Sequence, residues 1–138
     1  PLGYVDPYGL DNPNIGPYGP GRNQGQGLSA TQQRSAATQD FVRNYNDMRA
    51  ANTIGGDKYF HCKANCEATR RGPLGEATAC TISDTREWTD QKIKGDPASA
   101  SRADQAANAI GRSGALGSSQ SCSSVCAPFR PTGLPTQY

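Results

Sequence analysis

A chain of 138 residues with 34% apolar content, three Phe, one Trp and one Met is a single domain with little material for a core. Its net charge of +2 selects no class of partner, and no run approaches the length of about 18 apolar residues that spans a bilayer. A core this thin calls for staples, and the five cysteines are the candidates.

The first ten residues, PLGYVDPYGL, hold two turn signals, one acid and nothing with which to build a core. No basic start followed by an apolar stretch marks a signal peptide, so export is expected to depend on something other than the chain's own N-terminus. Residues 11–28 read as a linker, since DNPNIGPYGPGRNQGQG consists of turn formers and amides and buries too little to offset ordering. The helical domain is expected over 29–138. From Thr31 the apolar positions Ala37, Phe41, Tyr45 and Met48 recur at helical spacing, with Ala36 and Val42 beside them, and Ile54-Gly55-Gly56 ends that helix. Asp57 is expected to cap a second helix, KYFHCKANCEATRR, stopped at Gly72-Pro73. A third helix, from about Glu76 to Lys94, carries Ala79, Ile82, Trp88 and Ile93. Ser99 or Ser101 caps a fourth, RADQAANAIG, followed by a Gly/Ser loop from Ser113 to Ser119 and a last turn at SCSSVC. The Pro-rich tail is expected to lie as an extended strap. No strand-like alternation occurs, so the fold class is all-α, with about four helices and long loops.

Cys62 and Cys66 are four apart on the second helix, and Cys122 and Cys126 are four apart near the end. Each pair shares one helix face. Facing each other antiparallel, they would align Cys62 with Cys126 and Cys66 with Cys122. Two disulfides, a four-thiolate zinc site and simple buried thiols all remain open on this spacing. Cys80 is left over as a buried free thiol. Disulfides would put the domain to work outside a cytosol.

Polar residues at helical spacing form a candidate site. Asp57 and His61, the only histidine, are four apart; Arg86, Glu87 and Asp90 lie around one turn; Asp104, Asn108 and Arg112 follow at i, i+4 and i+8. A carboxylate beside an imidazole makes an acid/base unit, and Arg with Asn suits an anionic group such as phosphate. The same residues also suit an ordinary solvated face, with Asp57 as a cap and Arg86–Asp90 as an i,i+4 pair. No phosphate loop, nucleophile elbow or HExxH motif occurs. The basic residues are sparse and not interleaved with aromatics, so nucleic acid is not an expected partner. Cofactor and metal requirements stay unspecified.

PLGYVDPYGL resembles the end of the core of Rhs (rearrangement hotspot) proteins, a motif of the form P-x4-D-P-x-G-L, through Pro1, Asp6, Pro7, Gly9 and Leu10. The resemblance implies a β-shell upstream that cuts itself free after the terminal Leu. Asp6 would be an autoproteolysis aspartate, and Leu10-Asp11 the scissile bond. It further implies a toxin delivered to rival bacteria by a type VI or related secretion system and neutralised by a cognate immunity protein. Asp57/His61, the S-D-x-R-E stretch from Ser83 to Glu87, and Asp104, Asn108, Gly111 and Arg112 are similar to a helical bacterial toxin group likened to a prokaryotic ancestor of the Wnt fold. Arg86 stands where that group often has a second His. The function so implied is a hydrolase acting on phospholipid head groups in the target's periplasm or at its inner membrane. His61 would be the base, Asp57 its orienter, Glu87 and Asp104 the acid or metal-holding carboxylates, and Asn108, Arg112 and Arg86 the substrate contacts. The alternatives are a non-enzymatic membrane-depolarising toxin, and a nuclease or other enzyme with a cytosolic target.

Overall fold

The computed structural model describes residues 27–92 and 98–138, with the side chains of residues 86–92 and 98–101 outside the described set. The expected 1–10 unit with Asp6 and Leu10, nearly all of the 11–28 linker, and the side chains of Arg86, Glu87, Trp88 and Asp90 lie outside it too. What is described is all-α. The helices are α1 (Ala30–Ala51), α2 (Asp57–Thr69), α3 (Pro73–Lys92), α4 (Ala98–Gly117) and the single turn α5 (Cys122–Val125), followed by a 3-10 turn at Ala127–Phe129.

The start and stop of α1 are written in its own residues. The Ser29 hydroxyl accepts from the Gln32 N–H at 3.2 Å, and the Gln32 side chain accepts from the Ser29 N–H at 3.0 Å, a reciprocal capping box. Asn52 ends the helix in the left-handed region and returns its N–H to the Met48 carbonyl. Helix α2 differs from expectation at both ends. Its N-cap is Gly56, without a side-chain hydrogen bond, so Asp57 sits inside the first turn, where its charge favours the helix N-terminus. Pro73 does not close α2 but opens α3, a position where a missing N–H costs nothing. Helix α4 runs on to Gly117, through much of the expected Gly/Ser loop.

Helix α2 is the centre of the molecule. Every residue from Tyr59 to Arg71 is buried, and α1, α3, α4, α5 and the 3-10 turn all pack on it. Helix α4 approaches so closely that a Cβ at Gly111 would run into the Cys62 carbonyl. The main core joins Tyr59, Phe60, Cys62 and Cys66 of α2 to Ala107 and Ala115 of α4 and to Cys122, Cys126 and Leu134 of the C-terminal segment. A smaller cluster holds Ala37, Ala68 and Ala79, with Phe41 against it. Most of these side chains are small, as the composition requires.

Disulfides join Cys62 to Cys126 and Cys66 to Cys122, which excludes the zinc and free-thiol readings for these four. Cys80 is a free thiol, half-buried on α3 rather than fully buried. Arg130 gathers the tail. It donates to the carbonyls of Tyr138 and Pro135, each at 2.7 Å, and its guanidinium lies 5.3 Å from the centroid of the Tyr59 ring. The tail is therefore a series of turns pinned by one guanidinium, not an extended strap.

Candidate functional site

The polar centre of the bundle is Asn65, in the middle of α2 and fully buried. Its amide nitrogen donates to the His61 carbonyl at 2.8 Å and to the Asn108 side-chain oxygen at 2.9 Å. Its oxygen accepts from Ser83 at 3.2 Å and from Arg112 at 2.8 Å. One side chain thus fastens α2 to α3 and α4 and uses the amide's bonding capacity to the full. Asn108 also donates to Gln105, which in turn donates to Asp84 of α3.

This network decides where the sequence-predicted residues stand. Asn108 and Arg112 are brought together, and the partner they share is Asn65. Asp104 turns to Lys58, 3.6 Å away. Asp57 is exposed at the start of α2, whereas His61, one turn on, is 8% exposed and faces a small cavity. The Glu87 and Arg86 side chains lie outside the described residues. Among the described residues no group of three or more His, Cys, Asp or Glu is placed to hold a metal ion.

A second cluster went unread in the sequence. Asp40 of α1 is fully buried and accepts two hydrogen bonds from Arg71, each at 2.9 Å, a bidentate pair. Arg43 donates to Asp40 at 2.7 Å and to Glu67 at 2.8 Å, and Asn44 donates to Glu67 at 2.7 Å. Burial pushes the Glu67 carboxyl above its ordinary range; the Arg43 charge opposes this, and the Asp40 charge adds to it. Burial works to lower the Arg71 guanidinium, but the hydrogen bonds and charge of Asp40 outweigh it and hold it above its usual value. The available signal was that Asp40 and Asn44, four apart, share the face that also carries Ala36, Ala37 and Phe41.

The surface offers a third feature. On the second half of α1, Val42 and Tyr45 are 54% and 43% exposed, one turn apart. Half-buried Phe41 and Met48 flank them and wall the cavity that also holds Phe60, Ala64 and His61. Arg49 completes the stripe, its guanidinium 5.8 Å from the centroid of the Tyr45 ring. Among the described residues no helix is long and apolar enough to cross a membrane.

A model of the serum amyloid A protein family matches residues 28–138. Serum amyloid A protein of horse (Equus caballus) is 46% identical over 118 residues, covering 80% of this chain and 99% of the horse protein. Serum amyloid A-1 protein of human (Homo sapiens) is 48% identical over 99 residues, 72% of this chain and 73% of its own length. Serum amyloid A-3 protein of mouse (Mus musculus) is 46% identical over 101 residues, 73% and 75% of the two chains. These matches overturn the Rhs reading, which rested on five residues of the first ten, and the likeness to Wnt-like toxins with it. The antibacterial hydrolase, the depolarising toxin and the nuclease fall together. So do the shell and immunity partners, type VI delivery, and action in a target cell's periplasm or inner membrane.

Proposed function

The chain belongs to the serum amyloid A family, and on that premise we propose that it works in extracellular fluid by settling on phospholipid surfaces through the apolar stripe of α1. The relatives' names place them in serum, and two disulfides are bonds of an oxidising compartment. The observation that carries the reading is the stripe itself. Val42 and Tyr45 are exposed at one-turn spacing, Phe41 and Met48 are half-buried beside them, and Arg49 lies at the polar end. An apolar face with a basic margin is the pattern of a helix lying in a membrane interface. Two or three such side chains supply only about 3–5 kcal/mol on transfer, and each nearby basic residue adds about 1 kcal/mol on an anionic surface. Binding is therefore reversible and stronger on anionic lipid.

Flotation with vesicles of phosphatidylcholine, alone and mixed with phosphatidylserine, tests it. The chain floats with both and more with the mixture. The double variant Val42→Asp, Tyr45→Ser, checked for native helicity by circular dichroism, loses at least about tenfold in affinity. Equal flotation of the variant, or none by the parent chain, refutes the reading.

A further inference from the structure

The two disulfides lie one helical turn apart, yet their surroundings differ. Cys62 and Cys126 are both fully buried, and no described side chain donates to their sulfurs. Beside the other bridge, Arg70 donates from Nη1 to the Cys122 Sγ at 3.5 Å. Its remaining nitrogens hold the Ala115 carbonyl at 3.4 Å and the Ser118 carbonyl at 3.0 Å, at the end of α4. The guanidinium is thereby fixed against one sulfur of one disulfide. Cys122 is also the only cysteine of the four with any exposure, 5%, and it opens a one-turn helix preceded by exposed Gly117, Ser119 and Gln120.

We propose that Cys66–Cys122 is a redox-active disulfide, opened by dithiols while Cys62–Cys126 stays closed as the structural bridge. A cation beside a sulfur stabilises the thiolate that forms there and makes it the better leaving group. Opening of the exposed turn at residues 117–121, ahead of α5, admits the reductant. One thiolate of the dithiol then attacks Cys66 Sγ, the Cys66–Cys122 bond breaks, and its electron pair leaves on Cys122 Sγ beside Arg70. The dithiol's second thiol loses its proton and attacks the dithiol sulfur of the mixed disulfide. The cyclic disulfide closes, and Cys66 departs as a thiolate that takes up a proton. Two electrons pass from the dithiol to the cysteine pair. Closure of the remaining bridge keeps the tail tethered at Cys126, so opening yields a free, activated thiol in a surface turn without unfolding the body. That thiol is a site for mixed disulfides with small thiols.

The oxidised full chain, incubated in graded dithiothreitol and trapped with iodoacetamide, reports the order of opening by peptide mass. Cys66 and Cys122 become alkylated at least about tenfold faster than Cys62 and Cys126. Arg70→Gln narrows that gap and Arg70→Lys largely keeps it. A second measurement does not depend on whether those variants fold. In Cys66→Ser the outer bridge is intact and Cys122 is a free thiol, whose alkylation rate against pH gives its pKa. A value below about 8.5, the ordinary thiol, is expected. Simultaneous opening of both bridges, earlier opening of Cys62–Cys126, or a Cys122 pKa at or above the ordinary value overturns the proposal.

Discussion

Helix α2 is fastened on two sides by two kinds of chemistry. Toward α1 the contact is ionic: Asp40, Arg43, Glu67 and Arg71, all but Arg43 almost wholly buried. Toward the C-terminal segment it is covalent and apolar: two disulfides among Tyr59, Phe60 and Leu134. The charged side gains stability only while every charge keeps its partner, because a buried ion pair barely recovers its desolvation cost. The covalent side owes its contribution chiefly to the chain entropy it removes from the unfolded state. A domain with few large apolar side chains thus holds one central helix by pairing charges on one flank and closing loops on the other. The flanks should respond to different insults.

The largest effect is expected on the covalent flank. The bridges span sequence separations of 64 and 56 and are nested. In the loop-entropy model the outer bridge contributes about 4 kcal/mol, and the inner one, completing a small ring, about 2–3 kcal/mol. Replacing all four cysteines by serine should therefore cost about 6–7 kcal/mol, comparable with the total stability of many small domains. Urea unfolding followed by circular dichroism measures it. A loss below about 2 kcal/mol would show that the ionic flank carries the fold, and the contrast drawn between the two sides would collapse.

The next effect belongs to the ionic flank. Asp40→Ala leaves Arg71 buried with its bidentate partner gone, a change expected to cost about 3–5 kcal/mol. Arg43→Ala should cost less, because its side chain is 18% exposed and water reaches it. If the two variants unfold at the same urea concentration, the cluster is not organised around the Asp40–Arg71 pair.

Much of this architecture was legible in the sequence, and what was not follows a pattern. The i,i+4 cysteine pairs fix a register because helical spacing leaves few ways to join them. Ser29, Gly56 and Gly72 mark boundaries through local chemistry. Features set by distant contacts stayed hidden. The Gly/Ser tract after Arg112 reads as a loop, yet it is helical to Gly117, where Arg70 supplies the carbonyl cap from another helix. Asp40, Glu67 and Asn65 drew no reading, because the cross-helix partners that give them their roles lie 18 to 47 positions away. Of the residues predicted to form a site, Asn108 and Arg112 do converge, but on Asn65, which no local pattern marks. The misreading of PLGYVDPYGL has a similar root. Of its five matching positions, three are Pro or Gly in a tract dense in both, so composition alone goes far toward the match. The family likeness, by contrast, extends over residues 28–138.

Acidity separates the flanks most selectively. Burial raises the native pKa of Glu67 above 4.5, the value of an unperturbed glutamate. Its contribution to stability is therefore whole below that unfolded value and is lost as pH rises through the native one. The geometry agrees: Oε1 takes both donors, from Arg43 and Asn44, while Oε2 is buried without a partner among the described residues and is the atom on which a proton would sit. Glu67→Gln imitates the protonated form. It should stabilise the chain at pH 7.5, and the gain should shrink toward zero as pH falls below about 4.5. Among the described residues of the disulfide flank no carboxyl group is raised by burial in this way, so the quadruple serine variant should keep a nearly constant deficit over the same range. Urea midpoints of both variants at pH 7.5 and pH 4 decide between them. A Glu67→Gln variant that is destabilised at neutral pH would show that the carboxylate's pairing with Arg43 outweighs its desolvation, and the ionic flank would then be a net source of stability.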